Sequence, residues 1–537
     1  MNRQVYRLRR WHICWLIGFG VFSVWAGRGQ AEGWQRFRGP NGTGIVGDTD
    51  ALPLTWSNDN GICWKTKVPR GASSPIIVGD LVVLTGYSGY GEKLDDPGDR
   101  DALRLHVIAL SRQDGALRWQ LTIEPSAAEQ EATPRIADHG YASPTPCSDG
   151  EQIYAAFGPS GVVCCDLAGN ERWRTSIGTG VAGFGAAASP IEHGPLVYIN
   201  AAIESKSLVA LDKVTGAVVW RNEDVTRAWT TPVLVETAAK STELVMHHKD
   251  TIRGYEPVTG EVLWSCQGIP DYVVPGIVAV DDILYCSGGR QNRTIAVRAG
   301  GRGDVTESHK LWEVTVGANV TTPLFLDGHL YWSHDKGLAQ CLAAVDGETL
   351  FRERYEVRDR VYASLVAGDG KCYAQLRDGT CLVLAAKPEY EVLAENKLTV
   401  SCWKHVAIVG ICELDVAAVF SCFRCIESIE SLLGPFPQHQ LGGRQFVASG
   451  RKSIVATVGG NGELPIFIRV SHGRSSTFSG QKHETCIRDR AAIKQQSPCR
   501  RNPLRPAVAA TTNHHKPAGK QREGHSPIHS KNRSMRH

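Results

Sequence analysis

One pattern recurs through residues 33 to 398 of this 537-residue chain and constrains its fold more than any other feature. A glycine is followed four residues later by a large ring, as in "ALDKVTGAVVW" at residues 210–220. The pairs are Gly115 and Trp119, Gly169 and Trp173, Gly216 and Trp220, Gly260 and Trp264, and Gly347 and Phe351. A binding site is usually built once, whereas a structural module is repeated, so the pattern predicts scaffold.

Each unit opens with Ser or Thr before Pro, with Val274-Pro275 and Ala363-Ser364 as variants, and continues with alternating runs such as "EQIYAAFG". Period-two alternation broken by Gly, Asp and Asn predicts short antiparallel strands. The prolines of successive openings lie 42 to 48 residues apart, at Pro144, Pro190, Pro232, Pro275 and Pro323. This spacing is typical of one four-stranded blade of a β-propeller.

The number of closing strands predicts the number of blades. Eight positions qualify: Trp64, Trp119, Trp173, Trp220, Trp264, Trp312, Phe351 and Leu393. We therefore predict an all-β, eight-bladed β-propeller. Only seven sets of preceding strands lie between the first and last of these positions, so the eighth blade is predicted to be incomplete. In each blade the glycine would supply a positive φ at a tight turn, and the ring would fill the space between neighbouring sheets.

The N-terminal 31 residues are typical of a secretory signal peptide. Four arginines precede residue 11, an apolar stretch runs over residues 11–25, and small residues end the segment at Ala31. Such a segment directs the chain out of the cytoplasm and is removed. A retained N-terminal helix anchor is the alternative. We expect a periplasmic or extracellular protein with no integral membrane segment after cleavage.

The C-terminal residues 399–537 differ in composition from the propeller at residues 32–398. They contain no Tyr and carry 20 Lys plus Arg against 8 Asp plus Glu, whereas the propeller carries 34 against 47. The overall charge of +4 therefore sums two unlike pieces and does not indicate a nucleic-acid partner. No Ser-Pro opening or closing ring continues the repeat, so we predict a disordered tail or a frameshift near codon 398. The alternatives are a tail that binds DNA or an anionic surface, and a metal half-site at Cys422 and Cys425.

The motif "A-x-D-x-x-T-G-x-x-x-W" resembles the pyrroloquinoline-quinone-like (PQQ-like) propeller repeat. Quinoprotein alcohol dehydrogenases and the BamB-type outer-membrane assembly protein share this repeat. The stretches "WQRFRGPNGTGI", "HGYASPTPCSDGEQIYAAFGPSGV", "WTTPVLVE" and "GGRGDVTESHKLW" are similar to secreted PQQ-like repeat proteins of environmental bacteria. The resemblance covers roughly residues 34 to 398. It implies the fold but not an activity, because the repeat serves enzymes and non-enzymes alike.

A quinoprotein dehydrogenase of this family needs Ca²⁺ on oxygen ligands, a carboxylate base and flat groups around the quinone. A vicinal disulfide often forms one of those flat groups, and Cys164 and Cys165, followed by Asp166, match it formally. However, "VVCCDLAGNERW" aligns with "LVALDKVTGAVVW", which places both thiols in a strand on opposite faces. No "CxxCH" haem attachment sequence is present. For the propeller cysteines we expect mostly buried free thiols, with one or two disulfides as the alternative.

A ligand site is expected in the loops around the mouth of the central channel. Five polar or aromatic residues that depart from the repeat are the candidates: His139, Tyr141, Trp229, Arg298 and Asp304. The alternative is that these side chains pack between blades and bond to exposed backbone. His247 and His248 would point to opposite faces of a strand, so we predict no metal site there.

These observations favour a secreted or cell-envelope propeller that acts as a non-catalytic interaction or ligand-binding module. Its partner would be an envelope protein or a small ligand, with no cofactor. One alternative is a dehydrogenase dependent on PQQ and Ca²⁺. A second is an assembly scaffold similar to BamB, which would offer exposed loops to a partner strand or helix.

Overall fold

The computed structural model describes residues 33–46, 52–92, 96–130, 140–357, 359–398, 406–408 and 418–420. The predicted signal peptide lies outside the described residues, and so does the predicted tail apart from two short strands. The chain divides into two compact units, residues 1–434 and 435–537, and the second unit lies entirely outside the described residues.

Seven antiparallel sheets of four strands follow one another along the described residues, and they are numbered here as blades 1 to 7. Blade 1 contains β1 (Ile76–Val78), β2 (Leu81–Ser88), β3 (Arg104–Ser111) and β4 (Leu117–Ile123). Blade 2 contains β5 (Cys147–Ser148), β6 (Gln152–Ala156), β7 (Val162–Asp166) and β8 (Glu171–Thr175). Blade 3 contains β9 (Ile191–His193), β10 (Leu196–Ala201), β11 (Ser207–Asp212) and β12 (Val218–Glu223). Blade 4 contains β13 (Val233–Glu236), β14 (Thr242–His248), β15 (Thr251–Tyr255) and β16 (Val262–Gln267). Blade 5 contains β17 (Val278–Val280), β18 (Ile283–Gly288), β19 (Arg293–Arg298) and β21 (Lys310–Val314). Blade 6 contains β22 (Leu324–Leu326), β23 (His329–His334), β24 (Leu338–Ala343) and β25 (Thr349–Arg354). Blade 7 contains β26 (Val366–Gly368), β27 (Lys371–Gln375), β28 (Thr380–Ala385) and β29 (Val392–Lys397).

A few short elements lie outside these blades. Strand β20 (Gly303–Asp304) pairs in parallel with β16 and gives blade 4 a fifth strand. Strands β30 (Val406–Ile408) and β31 (Ala418–Phe420) form a separate hairpin. The helices are α1 (Ala127–Gln130), α2 (Thr306–His309) and the 3₁₀ turns Pro40–Gly42, Arg100–Ala102 and Gly158–Ser160.

The last strand of each blade carries a bulge beside the repeated ring. In blade 3, Ala210 pairs with Trp220 and Leu211 pairs with Val218, so Val219 is the extra residue. The same shift occurs between the third and fourth strands of all seven blades. In six of them the residue opposite the ring position is Ala, Cys or Gly, which leaves room for a large side chain. The bulge also increases the local twist of the sheet.

The closing position of blade 7 is Ala394, which pairs with Val383, and not the predicted Leu393. Leu393 is the extra residue of that bulge and is more than a third exposed. The one-residue error arose because blade 7 has no aromatic ring to mark the position.

Neighbouring blades are joined by a contact that crosses from one sheet to the next. The indole of Trp173 in blade 2 lies over Gly216 in blade 3, where a Cβ would come within 2.5 Å of the ring. Its Nε1 donates a hydrogen bond of 2.9 Å to the Lys213 carbonyl in the same turn. The contact recurs for Trp119 over Gly169, Trp220 over Gly260, and Trp312 over Gly347. The glycine is therefore required both for its positive φ and for the ring of the preceding blade.

Two joints depart from this rule: between blades 6 and 7, Phe351 lies near the Tyr390 ring, with centroids 5.9 Å apart, and the joint between blades 4 and 5 is also different. The Trp264 indole lies over Gly254 of its own blade and donates to the Glu243 carboxylate at 2.6 Å. Glu243 also accepts from the Gly300 backbone amide at 3.1 Å. The insertion that carries β20 thus occupies the place where blades 1 to 4 and blade 6 have a Gly turn.

A belt of hydroxyl groups links the inner edges of the blades. The hydroxyls of Thr145, Ser189, Thr231, Thr322 and Ser364 each accept a hydrogen bond of 2.8–3.1 Å from a backbone amide of the preceding blade. These bonds join blades 1 to 4 and blades 5 to 7. Four of the five hydroxyls belong to the Ser/Thr that opens a unit or its variant, so that residue has a structural reason to be polar.

Blade 7 and blade 1 are joined by the N-terminal clasp, defined as residues 34–46 and 52–70. Residues 52–56 of the clasp bond to blade 7, where Asn396 donates to the Leu54 carbonyl and accepts from the Trp56 amide. Residues 64–66 bond to blade 1, and Trp64 lies over Gly115 as the ring of a preceding blade would. The clasp and both blades share one hydrophobic core. A β-propeller is thus confirmed, with seven complete blades among the described residues and Trp64 at the place predicted for the closing strand of an eighth.

Candidate functional site

The inner ends of the blades surround a cleft of about 450 Å³ at the mouth of the central channel. Every blade contributes to its lining, either through the residue that opens the unit or through the loop before it. The lining residues are Phe37, Ala72, Ser143, Phe184, Ala187, Ser189, Trp229, Thr231, Tyr272, Val274, Asn319, Val320, Thr322, Asp335, Arg360, Tyr362, Ser364 and Arg377. Its volume lies within the range of small-molecule sites.

Aromatic rings form one wall of the cleft, from blade 3 to blade 5. Trp229 contacts Phe184 and Tyr272 edge to face, with ring centroids 6.3 and 6.0 Å apart. Its Nε1 donates to the Gly185 carbonyl at 2.7 Å, which fixes the indole against the loop at residues 178–187. Phe184 is 47% exposed at the rim. The wall therefore offers partly exposed ring surfaces to a bound molecule.

Arginines and a tyrosine form the opposite wall, between blades 6 and 7. Arg360 donates to the Tyr362 hydroxyl at 3.2 Å, and the Arg377 guanidinium lies over the Tyr362 ring at 5.4 Å. This hydrogen bond raises the pKa of Arg360 above its ordinary value. Asp335 is the one carboxylate of the described lining. This wall suits the recognition of an anionic group.

The N-terminal clasp forms the floor. The Phe37 side chain lines the cleft, and the next residue, Arg38, is buried beneath it. The Arg38 guanidinium donates to the carbonyls of Gly42, Thr43, Pro323 and Leu365 at 2.8–3.1 Å. Two of these carbonyls belong to the entrances of blades 6 and 7. Burial lowers the pKa of Arg38 to about 9.

The structure brings one of the predicted ligand residues, Trp229, into the cleft. Tyr141 is instead buried against Tyr87, with ring centroids 5.4 Å apart. Arg298 pairs with Asp282 at 3.0 Å, and Asp304 accepts from the Thr306 amide at the start of α2. These three side chains do not line the cleft. His139 lies outside the described residues.

Sequence reasoning missed the other side chains of the cleft, although the repeat held a signal for them. Trp229, Tyr272 and Tyr362 each lie two residues before the residue that opens a unit or its variant. Aligning the units on that residue, rather than on the closing ring, would have identified the aromatic position. Phe37 and Arg38 had no such signal, because the clasp does not belong to the repeat.

The two adjacent cysteines occupy ordinary strand positions, as predicted. Cys164 and Cys165 lie in β7 and belong to different hydrophobic cores on the two sides of blade 2. Both are free thiols, and burial raises the pKa of each to about 12. His247 and His248 are both buried in β14. Among the described residues, no group of three or more His, Cys, Asp or Glu side chains could hold a metal ion.

Two buried carboxyl groups lie beside the cleft, between blades 2 and 3. Burial raises the pKa of Glu129 to about 8 and that of Glu204 to about 7, and the charge of Glu204 adds to the effect on Glu129. Glu129 accepts from the Ser160 hydroxyl at 3.1 Å. Glu204 lines a small cavity that also borders Trp229.

The described lining does not fit the Ca²⁺ and quinone arrangement that the fold family suggests. Ca²⁺ takes six to eight oxygen ligands, usually with several carboxylates. The described cleft offers one carboxylate, Asp335, and one amide, Asn319. The adjacent thiols that would flank a quinone lie within blade 2 and do not reach the channel.

Seven four-stranded meanders around a lined channel define this protein as a β-propeller. A family model described as "Outer membrane protein assembly factor BamB" matches residues 41–222 and 169–306. The chain belongs to the PQQ-like repeat propeller superfamily. No curated protein matches it significantly.

Three solved structures of low sequence identity are similar to this chain to different degrees. A europium-containing methanol dehydrogenase is 12% identical, with a TM-score of 0.51 over 71% of this chain and 88% of that chain. BamB from Moraxella catarrhalis is 12% identical, with a TM-score of 0.42 over 67% and 95%. A quinohemoprotein alcohol dehydrogenase from Comamonas testosteroni is 11% identical, with a TM-score of 0.47 over 72% and 76%. At 12% identity the likeness to the methanol dehydrogenase concerns the fold alone. Within the described part of the chain, no helix has the length and apolar character needed to cross a membrane.

Proposed function

We propose that this protein is a binding module of the cell envelope or its surroundings that holds a small molecule in the channel mouth without transforming it. The observation that carries the proposal is the cleft itself. All seven blades contribute to it, and its aromatic wall is partly exposed. Rings left exposed in a concave site favour ligand binding.

The signal-peptide pattern at residues 1–31 supports the proposed location outside the cytoplasm. The low number of carboxylates in the described lining favours binding over PQQ-dependent oxidation. An assembly scaffold would bind a partner strand at a sheet edge. In blade 4 such an edge is already covered by β20.

Melting-temperature shifts of the full-length protein test the proposal. The panel contains monosaccharides, sugar acids, aromatic acids and the matching alcohols, with PQQ plus Ca²⁺ as a separate sample. A bound ligand at a hundredfold excess over its dissociation constant should stabilise the fold by about 2.7 kcal/mol. A shift with PQQ and Ca²⁺, together with dye-linked alcohol oxidation, would replace the proposal with a dehydrogenase. No shift with any member of the panel would contradict it.

Two tryptophans provide a matched pair of variants. Trp229→Ala removes a ring from the cleft and should abolish the ligand-induced shift, with some loss of stability because its contacts with Phe184, Tyr272 and the Gly185 carbonyl are lost. Trp312→Ala removes a half-buried ring from a blade joint and should lower stability while the ligand-induced shift persists. Equal loss of binding in both variants would mean that the cleft is not the binding site.

A further inference from the structure

The channel carries a charge opposite to that of the body around it. Residues 32–398 contain 34 Lys plus Arg and 47 Asp plus Glu, a net charge of −13. The described residues that line the cleft and the small cavity beneath it include four arginines and one carboxylate, Asp335, a net charge of +3. The arginines are Arg36, Arg38, Arg360 and Arg377. A cationic channel in an acidic protein attracts anions selectively to that point.

The floor supplies a buried cation. Arg38 is 4% exposed, and its hydrogen bonds go to four carbonyls and to no carboxylate among the described residues. The carbonyl dipoles leave its full charge uncancelled, which is unusual for a buried ion. Phe37, Thr231 and Thr322 line both the cleft and the small cavity that Arg38 borders. An anion above Phe37 would therefore feel the field of Arg38 through a wall of low dielectric constant.

The walls supply direct partners. Arg360 is exposed and donates to the Tyr362 hydroxyl through one guanidinium nitrogen, Nη1. Asn319 uses its Nδ2 on the Tyr272 hydroxyl at 3.1 Å, and its buried Oδ1 has no hydrogen-bond partner. A buried unpartnered acceptor is costly unless a donor reaches it. A ligand hydroxyl or amide could provide that donor.

The aromatic wall and the wall of Arg360 and Arg377 both line the cleft, and Asn319 adjoins the aromatic wall through its bond to Tyr272. Trp229 and Tyr272 are half-buried, and Phe184 is more exposed than either. Partly exposed rings bind the flat face of another ring, either aromatic or saccharide, through apolar contact. One side of the cleft therefore suits a ring and the other side suits an anionic group.

We propose that the ligand of this cleft is a ring-bearing organic carboxylate, such as an aromatic acid or a uronic acid. This inference rests on the proposed binding function and specifies its ligand. The carboxylate would lie against Arg360 and Arg377, the ring against Trp229 and Tyr272, and a ligand hydroxyl at the Asn319 Oδ1.

Isothermal titration calorimetry on the full-length protein tests the charge requirement. The probes are two matched pairs, 4-hydroxybenzoate with 4-hydroxybenzyl alcohol and galacturonate with galactose. In one of the pairs, the acid should bind at least about tenfold more tightly than its neutral partner, because only the carboxylate makes charge-assisted hydrogen bonds to the arginines. The same acid should lose affinity as ionic strength rises. Which pair responds distinguishes an aromatic acid from a sugar acid.

Two arginine variants locate the site. Arg360→Gln combined with Arg377→Gln should reduce the affinity for the acid about tenfold or more and leave the neutral partner unchanged. Arg298→Gln is the matched control, because Arg298 pairs with Asp282 and does not line the cleft. Equal affinity for acid and neutral partner would overturn the inference but leave the binding function standing. Absence of binding by all four probes would overturn the inference, and the wider panel then decides the binding function separately. Equal loss in the control variant would place the site elsewhere and overturn both.

Discussion

The regular joints between blades and the seam between blade 7 and blade 1 achieve the same contact by different means. At a regular joint, such as that of blades 2 and 3, a ring at the closing position covers a glycine in the next turn and donates to its carbonyl. At the seam, the clasp supplies Trp64 to blade 1, and side chains such as Asn396 bond its backbone to blade 7. A repeated joint depends on local sequence, whereas the seam depends on one long segment, the clasp, that reaches both blade 7 and blade 1.

The largest expected effect comes from removing a ring at a regular joint. Trp220→Ala should lower the free energy of unfolding by about 3–5 kcal/mol, because it empties a buried site and leaves the Pro257 carbonyl without its donor. Trp64→Ala should cost less, since Trp64 is only half-buried. Urea unfolding of both variants measures the difference. Equal losses would mean that the seam is packed as tightly as a joint.

A methyl group added under a ring should be nearly as damaging. Gly216→Ala places a Cβ 2.5 Å from the Trp173 indole at a φ of +72°, so it should cost about 2–4 kcal/mol through overpacking and backbone strain. Gly194→Ala is the control, because Gly194 also has a positive φ but nothing lies within 4 Å of the added Cβ. It should cost about 1 kcal/mol. Similar melting temperatures for the two variants would show that the turn, and not the ring above it, requires the glycine.

Loss of the buried arginine should loosen the seam and leave the regular joints intact. Arg38→Met keeps the length of the side chain but removes its bonds to the carbonyls of Pro323 and Leu365. We expect a loss of about 2 kcal/mol, because hydrogen bonds to charged groups are lost while the cost of burying the charge is also removed. Hydrogen exchange should increase in the clasp and blade 7 before blades 2 and 3. Uniform exchange across all blades would show that the seam has no separate stability.

The smallest expected effect concerns pH and blade 4, away from the seam. Burial lowers the pKa of His247 to about 3 and that of His248 to about 4, from 6.5. Both ring nitrogens of His248 lack hydrogen-bond partners. Because the unfolded chain takes up the proton first, each histidine weakens the fold as pH falls from about 6.5 towards the lowered pKa. Glu129 and Glu204 act in the opposite direction, since their raised pKa values favour the fold at lower pH.

The contribution of His248 is measured by comparing the pH dependence of the unfolding free energy in His248→Asn with that in the parent protein. Between pH 7 and pH 5.5, His248→Asn should remove about 1 kcal/mol of acid-induced destabilisation relative to the parent protein. Unfolding free energies at the two pH values give this difference. Arg38→Met should leave the change in unfolding free energy between these two pH values the same as in the parent protein. An identical pH dependence of His248→Asn and parent would mean that His248 does not become protonated on unfolding in this range.

The repeat makes most of the fold predictable from local patterns. Strand alternation, the turn glycine and the spacing of prolines are local properties, so the prediction of eight blades with an incomplete eighth contained the seven complete blades and their order. The strand placement of Cys164 and Cys165 followed in the same way. The closing position of blade 7 was wrong by one residue, because the bulge is recognisable in the sequence only where a ring follows it.

The sequence by itself determined the blades, the turn glycines and the polar residue that opens most units, because each rests on contacts within a few residues or on repetition. Only the tertiary structure decided which ring covers which glycine, since that contact crosses from one blade to the next. It also decided the channel. Phe37 and Arg38 reach the axis because the clasp spans the entrances of blades 6 and 7, and Arg360 and Trp229 face each other across the cleft although 131 positions separate them. The circular arrangement of the blades brings distant segments of the chain to one axis, and no local sequence pattern indicates which of their side chains meet there.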